Sequence, residues 1–314
     1  MSDSPILARD ELARAAPGRD AAVVIGVFDG VHRGHRYLIG RMVERARQEG
    51  LAAIVVTFHP HPRLVVHPQA TLTYLCGLEE RIELLRALGV DSVAILSFTS
   101  ELAQLSAREF AALLVDELRL KLLVIGTDFA LGRNREGDTQ TLTAIGRELG
   151  FAVEVVPLLA VASEKVGSSA VRLALARGDM ETVASLLGRP FSLRGPVVPG
   201  AERGKSLGFP TANIAFGFDR ALPVFGVYVT RAYLSGQGVR PAVTNIGLRP
   251  TFPGSGEDRP TVETHILDFQ GELHGQELRI ELLHRLRGEM RFSSADALRA
   301  QIEKDVAAAR AYLS

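Results

Sequence analysis

The strand–turn–helix pattern of residues 23–35, VVIGVFDGVHRGH, sets the strictest limit on the fold of this chain. Its apolar residues predict a buried strand that breaks at Gly26, and helical spacing behind a tight turn at 29–30 predicts a helix from about His35. A helix N-terminus carries unpaired N–H groups and a positive dipole end, so it binds anions. Histidines three residues apart lie on one side of a first helical turn, so His32 and His35 can reach one ligand together. The stretch therefore favours a nucleotide site over a surface turn with two solvated histidines.

The composition narrows the class of protein. With 314 residues the chain is long enough for two domains, each with its own core. Its 36 basic and 36 acidic residues balance, so no basic excess points to a nucleic acid or an anionic membrane. The single cysteine, Cys76, excludes an internal disulfide and a cysteine-built metal site. Because the N-terminal residues are polar and the apolar runs are short, we expect a cytoplasmic protein.

Strand and helix patterns alternate through the first half of the chain. Helical patterns separate the apolar runs, which lie at 51–58, 93–96, 122–126 and 152–158. This alternation predicts a parallel sheet with helices on both faces. In such folds the binding loops lie at the carboxyl ends of the strands.

Three later loops of this half carry groups that suit a nucleotide site. TFHPHP (57–62) is stiffened by prolines and is either a rigid loop or a platform for an aromatic ring. GTDFALGRNREGD (126–138) is either a charged surface loop or a site whose arginines pair with phosphates and whose aspartates bind a ribose or a cation. Its candidate groups are Asp128, Arg133, Arg135 and Asp138. In KVGSSAVR (165–172), serines before a helix predict a helix cap or, with Arg172, a phosphate clamp.

The pattern changes near residue 187, where we place a domain boundary. Short alternating apolar segments with Gly and Pro turns follow, and they predict an antiparallel barrel or sandwich. An amphipathic pattern over 294–312 predicts a closing helix.

The stretch GAERGKSLGFPTAN (200–213) contains a phosphate-loop candidate. It fails as a P-loop because three residues, where four are needed, separate Gly200 from Gly204, and because LGFP follows instead of a helix. A different phosphate loop, with glycine N–H groups and Lys205 beside Ser206 facing the ligand, stays open.

Two strands of the second half carry further candidates. Thr211 and Asn213 share one strand face, and their neutral oxygens are ligands that Mg²⁺ accepts, although a polar strand start explains them as well. In TVETHILD, Glu263 shares a face with His265, so its carboxylate is a candidate general base or an exposed strand glutamate.

Taken in order, these motifs resemble those of the bacterial bifunctional riboflavin kinase/FAD synthetase family. GVFDGVHRGH is similar to the H-x-G-H element of its flavin-adenylating branch, and GFPTAN is similar to the riboflavin kinase element. The resemblance covers about residues 20–314. It implies an α/β Rossmann-like nucleotidyltransferase domain over 1–187, followed over 188–314 by an antiparallel β-barrel riboflavin kinase domain with a C-terminal helix.

The resemblance also implies two reactions. The second domain would transfer a phosphoryl group from ATP to riboflavin, with Glu263 as the base for the ribityl 5′-hydroxyl and Mg²⁺ as the metal. The first domain would join the resulting FMN to the α-phosphorus of ATP, giving FAD and pyrophosphate. His32 and His35 would stabilise the charge on the triphosphate there, and we expect direct attack without a covalent intermediate.

The implied site residues form four groups. The ATP site of the first domain consists of Gly26, Phe28, Asp29, Gly30, His32, His35, Ser168, Ser169 and Arg172. The flavin site beside it consists of Phe58, Pro60, His61, Pro62 and Asp128. The ATP site of the second domain consists of Gly204, Lys205, Ser206, Thr211 and Asn213, of which Thr211 and Asn213 also hold Mg²⁺. The second flavin site consists of Glu263 and Arg287.

Two other hypotheses stay open. One is a nucleotidyltransferase-fold protein whose barrel binds RNA. The other is a flavin-binding protein with one inactive module, which the departures from the family pattern at Leu131, Gly167 and His274 leave open. The partners we expect are ATP, riboflavin, FMN and FAD, with no nucleic acid and no membrane. The oligomeric state stays open between a monomer and a transient homo-oligomer.

Overall fold

The computed structural model describes residues 4–157, 159–161, 164–200, 204, 207–217, 219–249 and 259–314. The chain divides into two compact units, Met1–Ser168 and Ser169–Ser314. The predicted order, a parallel α/β sheet followed by an antiparallel barrel and a closing helix, is confirmed. Among the described residues, none of the helices is both long and apolar enough to cross a bilayer.

The first unit is built on a five-stranded parallel sheet with the strand order β3-β2-β1-β4-β5. Its strands are β1 (Ala21–Ile25), β2 (Ala52–His59), β3 (Ser92–Ser97), β4 (Leu120–Gly126) and β5 (Ala152–Val156), with a small ribbon of β6 (Ala160–Val161) and β7 (Glu164–Lys165). Its helices are α1 (Ser4–Ala15), α2 (Arg33–Glu49), α3 (Pro62–Val66), α4 (Leu78–Arg86), α5 (Ser100–Gln104), α6 (Ala107–Leu118) and α7 (Thr139–Leu149). The chain order reverses between β1 and β4, and ligands bind at such switch points in open α/β sheets.

Strand β1 lies at the centre of this sheet and is buried on both faces. Ala21, Val23 and Ile25 pack into one core cluster, whereas Ala22 and Val24 pack into the cluster on the other face. Burial on both faces explains why the strand is an uninterrupted apolar run, and it fixes the position of the turn that follows.

The second unit is a closed antiparallel barrel with the strand order β10-β11-β12-β9-β8-β13. Its strands are β8 (Phe191–Val198), β9 (Ala212–Ile214), β10 (Gly226–Leu234), β11 (Gly238–Arg249), β12 (Arg259–Ile266) and β13 (Glu277–Arg287). Its helices are α8 (Ser168–Arg177), whose first residue ends the first unit, α9 (Met180–Leu187) and α10 (Ala295–Leu313). Helix α10 packs outside the barrel, where Ala309 contacts the cluster of Val227, Val229 and Val243.

A row of threonine hydroxyls crosses three neighbouring strands of the barrel. Thr244 Oγ1 lies 2.9 Å from Thr230 Oγ1 and 3.0 Å from Thr264 Oγ1, and all three residues are fully buried. Their mutual hydrogen bonds satisfy groups that would be costly to bury alone.

Three local predictions differ from the structure. The proline loop at 57–62 is in part regular, because β2 runs to His59 and α3 begins at Pro62, a position where the fixed φ of proline favours a helix. Ser168 and Ser169 lie in the first turn of α8 rather than before it. Helix α2 begins at Arg33, two residues earlier than predicted, because His32 caps it.

Candidate active sites

The histidine turn, residues 26–32, connects β1 to α2 at the carboxyl edge of the sheet. The φ angles of Phe28 and Gly30 are 53° and 78°, so the chain reverses sharply before the helix. His32 is the N-cap of α2, and its Nδ1 accepts a hydrogen bond from the His35 N–H at 3.3 Å. Because Nδ1 accepts, the proton of neutral His32 is on Nε2, which makes Nε2 a donor.

The ring of His32 at the end of this turn stacks on the ring of His35 in the first turn of α2. Their centroids lie 3.5 Å apart at an interplanar angle of 19°. Burial, and then the proximity of His32, hold the pKa of His35 well below its ordinary value of 6.5. His35 Nδ1 is buried and has no hydrogen-bond partner among the described residues. In the free protein His35 is therefore neutral at neutral pH, and an anionic ligand beside it would raise its pKa.

Phe28 packs against His35, and Gly26 leaves room for the Phe28 ring. Phe28 is 2% exposed, and its ring meets the His35 ring edge-on at 5.1 Å between centroids. A Cβ added to Gly26 would lie 2.8 Å from Phe28 Cζ, so only glycine leaves the ring in place. The side chain of Phe28 is thus a buried support, and its carbonyl accepts from the Val31 N–H at 3.0 Å, so the contact of Phe28 with ATP stays a prediction.

Asp29 is 3% exposed and is directed toward the interior of the first unit. Its Oδ1 accepts hydrogen bonds from the N–H groups of Leu75 at 2.9 Å and Cys76 at 3.4 Å. The Gly30 N–H donates to Cys76 Sγ at 3.1 Å. We call Asp29 and Gly30 the DG turn. Its carboxylate and N–H, which were predicted to contact ATP, instead form hydrogen bonds that stabilise the turn.

The serines predicted as a phosphate clamp lie in different surroundings. The Ser168 hydroxyl donates to the Asp29 carbonyl at 3.0 Å, so it ties the end of the first unit to the histidine turn. Ser169 is exposed and Arg172 is half-buried on α8, in the second unit. Their action on the same ATP as His32 stays a prediction.

A cavity of about 1010 Å³ opens at the carboxyl edge of the parallel sheet. It brings together residues predicted for both substrates of the first domain. Those lining it are Gly26, His35, Phe58, His61, Pro62 and Asp128. Pro60, which follows a cis peptide bond, is outside this lining.

The side of this cavity that is predicted to hold flavin has an aromatic wall, and we call it the flavin half. Phe58 is half-buried, and its ring meets the Phe98 ring edge-on at 5.4 Å between centroids. Phe98 and Phe129 line the cavity and were missed from the sequence. Phe98 follows the carboxyl end of β3. Binding loops lie at the carboxyl ends of parallel strands, so this position was predictable in the same way as the other loops.

The 126–138 loop is divided between the cavity and the fold. Arg133 and Arg135 line the cavity, and Arg135 donates to the Asp128 carbonyl at 3.2 Å. Asp138 is the N-cap of α7, and the hydrogen bond that it accepts from the Thr141 N–H lowers the pKa of its carboxyl. The candidate role of Asp138 as a ribose or cation ligand gives way to this capping role.

A second cavity, of about 420 Å³, lies on the barrel unit. It brings together the candidates of the second half that the structure describes. Those lining it are Gly204, Thr211, Asn213, Glu263 and Arg287. Lys205 and Ser206 are outside the described residues.

Three polar residues face this cavity in a row across neighbouring strands. Glu263 of β12 pairs in register with Asn213 of β9 on one side and with Asn245 of β11 on the other. Val262 and Thr264 are buried on the opposite face, which confirms the predicted alternation. Among the described residues the Glu263 carboxylate has no hydrogen bond or ion pair, so it can accept a proton. Asn245 was missed from the sequence because the strand register brings it there.

Arg287 lines the same cavity but is occupied by an ion pair. Its Nε lies 3.1 Å from both carboxylate oxygens of Asp305, and one terminal nitrogen lies 2.8 Å from Oδ2. Asp305 belongs to α10 and is 5% exposed. Arg287 therefore joins α10 to the barrel, and its predicted contact with flavin stays a prediction.

Comparisons with known proteins agree on both units. One family model, described as FAD synthetase, matches residues 15–170, and another, described as riboflavin kinase, matches residues 187–313. The bifunctional riboflavin kinase/FMN adenylyltransferase of Escherichia coli (strain K12) is 39% identical, over 95% of this chain and 94% of the relative. The Pseudomonas fluorescens protein of the same name is 40% identical over 93% of each. A crystal structure described as a macrolide-efflux protein from Streptococcus pneumoniae superposes with a TM-score of 0.87 at 29% identity, covering 95% of this chain and 96% of that one.

Proposed function

The chain belongs to the family of bifunctional riboflavin kinases/FMN adenylyltransferases, and from this premise we propose that its two cavities carry the two reactions in sequence. The enzyme phosphorylates riboflavin to FMN with ATP, and it adenylates FMN to FAD with release of pyrophosphate. The domain boundary that we propose, near residue 187, is supported by the start of the riboflavin kinase match. The RNA-binding and single-activity hypotheses are not favoured, because the relatives match through both units.

The observation that carries this proposal is the grouping of separate motifs into two cavities. The 26–35 turn, the 57–62 loop and the 126–138 loop meet in the larger cavity, although about a hundred residues separate the first from the last. Gly204, the 207–213 stretch, β12 and the end of β13 meet in the smaller one. Each cavity has the chemistry that its reaction requires.

In the larger cavity, a phosphate oxygen of FMN attacks the α-phosphorus of ATP, and the bond to pyrophosphate breaks. His32 is 5% exposed and lies outside the lining of this cavity, and we propose that its Nε2 donates to the triphosphate once ATP is bound. The dipole of α2 adds positive potential at the same end. His35 is neutral in the free protein, and the charge of the bound triphosphate raises its pKa. Phe58 and Phe98 offer ring faces and edges to the isoalloxazine.

In the smaller cavity, the 5′-hydroxyl oxygen of riboflavin attacks the γ-phosphorus of ATP, and the bond to ADP breaks. Glu263 accepts the hydroxyl proton as the new bond forms. Asn213 and Asn245, on either side of it in register, orient the carboxylate or the substrate through their amides. We propose Glu263 as the catalytic base of this reaction.

Mg²⁺ is the metal that we propose for the smaller cavity. Thr211 and Asn213 offer neutral oxygens, which suit a hard cation that takes its remaining ligands from phosphate and water. A Cβ on Gly200 would overlap the Asn213 amide, so the glycine leaves room for that amide. When bound, Mg²⁺ neutralises phosphate charge on ATP. We propose a requirement for Mg²⁺ in adenylation as well.

The partners that we propose are small molecules: ATP, riboflavin, FMN and FAD. The balance of 36 basic and 36 acidic residues supports the absence of nucleic acid and membrane partners. The single cysteine supports a cytoplasmic location.

A product analysis tests both assignments in one experiment. The purified protein is incubated with riboflavin, ATP and Mg²⁺, and the flavins are separated by chromatography. We expect FMN first and FAD later. His32→Ala combined with His35→Ala should stop the sequence at FMN, whereas Glu263→Gln should abolish FMN formation from riboflavin and leave conversion of added FMN to FAD unchanged.

Matched controls lie on the barrel unit. Glu272→Gln changes an exposed glutamate, and His274→Ala changes an exposed histidine, so neither should alter either reaction. FMN formation by Glu263→Gln at the rate of Glu272→Gln would refute the assignment of the base. FAD formation by the double histidine variant at the rate of His274→Ala would refute the adenylation site.

A further inference from the structure

One segment of the first unit has no role in either proposed reaction. It contacts both halves of the larger cavity. We define residues 74–76, which lie between α3 and α4, as the bridge segment. We propose that the bridge segment sets the spacing between the ATP half and the flavin half, so that Tyr74 and Cys76 are positioning residues for FMN adenylation. This inference rests on the adenylation site proposed above and assigns a role to residues outside it.

One end of the bridge segment holds the histidine turn. The Asp29 carboxylate accepts from the N–H groups of Leu75 and Cys76, and Cys76 Sγ accepts from the Gly30 N–H. Leu75 and Cys76 are each 2% exposed, so these bonds are shielded from water. A buried polar network of this kind holds a fixed geometry, because each lost bond leaves an unsatisfied buried group.

The other end of the bridge segment holds residues 57–62, the proline loop predicted to contact flavin, which we call the flavin loop. The Tyr74 hydroxyl accepts a hydrogen bond from the His61 N–H at 2.7 Å, and Tyr74 is 6% exposed. The Tyr74 ring lies 6.0 Å from the His59 ring and 6.5 Å from the His61 ring, between centroids. His61 in turn caps α3 by accepting from the Arg63 N–H at 3.0 Å.

Helix α4, which follows the bridge segment, fixes it to the centre of the sheet. Arg81 is 1% exposed and donates to the Val27 carbonyl at 2.7 Å, and the Thr57 hydroxyl donates to the same carbonyl at 3.0 Å. Burial lowers the pKa of Arg81, and the nearby Cys76 and Asp29 oppose that shift. One carbonyl of the histidine turn is thus joined to the start of the flavin loop and to the helix behind the bridge segment.

This arrangement matters because the two substrates react end to end. FMN is gripped by its ring in one half, ATP is gripped by its phosphates in the other, and the attacking oxygen must come within about 3–3.5 Å of the α-phosphorus. A displacement of about 1 Å between the halves can reduce the rate by a factor on the order of 100. The bridge segment gives a hydrogen-bonded link between residues 29–30 and the 57–62 loop, in addition to the hydrogen bond that the Thr57 hydroxyl donates to the Val27 carbonyl.

Steady-state kinetics of FMN adenylation test the inference. Tyr74→Phe keeps the ring and removes the acceptor of the His61 N–H, so we expect the KM for FMN to rise about 3- to 10-fold, the loss of one hydrogen bond, and kcat to fall as well because the spacing between the halves changes. Cys76→Ala releases the Gly30 N–H at the ATP half, so we expect kcat to fall about 3- to 10-fold at an unchanged KM for FMN. Cys76→Ser retains an acceptor and should restore most of kcat.

The matched control is Tyr233→Phe on the barrel, which also removes a hydroxyl hydrogen bond of 2.7 Å, to Glu281. It should leave adenylation unchanged, and riboflavin phosphorylation should be unchanged in every variant of the bridge segment. The inference is overturned if the Tyr74→Phe enzyme has the FMN KM of Tyr233→Phe, or if both reactions decline in parallel. Failure of the site itself would show differently, as FAD formation that survives loss of His32 and His35.

Discussion

The ion pair between Arg287 and Asp305 gives the most quantitative prediction for the barrel unit. The side chains are 17% and 6% exposed, and the guanidinium contacts both carboxylate oxygens. The pair joins the end of β13 to α10, beside Leu298 and Ile302 of the cavity lining. We expect it to hold α10 over the kinase cavity.

Removing the arginine should cost far more than removing a surface charge. Arg287→Met leaves the buried Asp305 carboxylate with the Gln301 amide, whose nitrogen lies 2.9 Å from Oδ1. A buried charge deprived of its partner costs about 3–5 kcal/mol. If α10 opens locally, the lower part of this range, about 3–4 kcal/mol, amounts to a factor of about 10²–10³ in the opening equilibrium.

Hydrogen–deuterium exchange of α10 measures this effect at its source. The amides of 301–309 in Arg287→Met should exchange about 10²–10³ times faster. Arg299→Met is the control on the same helix, because the Arg299–Glu303 pair is 60% and 56% exposed and is worth about 0.3–0.5 kcal/mol. The double variant Arg287→Met with Asp305→Leu should recover much of the protection, because no unpaired charge is left. Equal exchange in the Arg287→Met and Arg299→Met proteins would refute the reasoning.

Three further predictions follow from single contacts. The pKa of His35 in the folded protein lies well below 6.5, so at a pH between the folded and the unfolded pKa the unfolded chain binds more protons. The stability of the first unit should therefore fall as the pH drops below 6.5. In urea denaturation, His35→Gln should reduce this pH dependence. Gly26→Ala places a Cβ 2.8 Å from Phe28 Cζ, so FAD formation from FMN should fall while FMN formation from riboflavin is unchanged in the product assay. Thr244→Val leaves the Thr230 and Thr264 hydroxyls without their shared partner, and urea denaturation should show a loss of about 1–3 kcal/mol from the barrel unit.

The elements and site residues that could be predicted from the sequence are those whose position follows from a local pattern. A strand buried on both faces must be apolar throughout, so β1 and its turn could be placed from VVIG alone. Parallel strands align their carboxyl ends, and this geometry predicts that His35, Phe58 and Asp128 share a cavity. The closed barrel was one of two predicted architectures, since short strands with Gly and Pro turns fit a sandwich equally well.

The groups that escaped prediction depend on contacts made after the chain has folded. Tyr74 and Cys76 lie in a short irregular segment, TLTYLCG, that has no periodicity to interpret. The acidic turn residue Asp29 looks like a ligand-facing group in the sequence. Its carboxylate instead accepts two backbone N–H groups from this segment, 46 and 47 residues away. Long-range pairing of this kind leaves no local signal.

Asn245 shows most clearly how a functional position can depend on register. It faces Glu263 because β11 and β12 pair with Asn245 opposite Glu263 and Ile246 opposite Val262. A slip of one residue would place Ile246 opposite Glu263 and turn the Asn245 side chain to the other face of the barrel. The fully buried Ile246 and the hydroxyl row through Thr244 and Thr264 oppose that slip, because each would lose its partners. The packing of the barrel interior thus determines which amide lies beside the Glu263 carboxylate that we propose as the base, and variants that weaken the interior should affect phosphorylation of riboflavin before they unfold the unit.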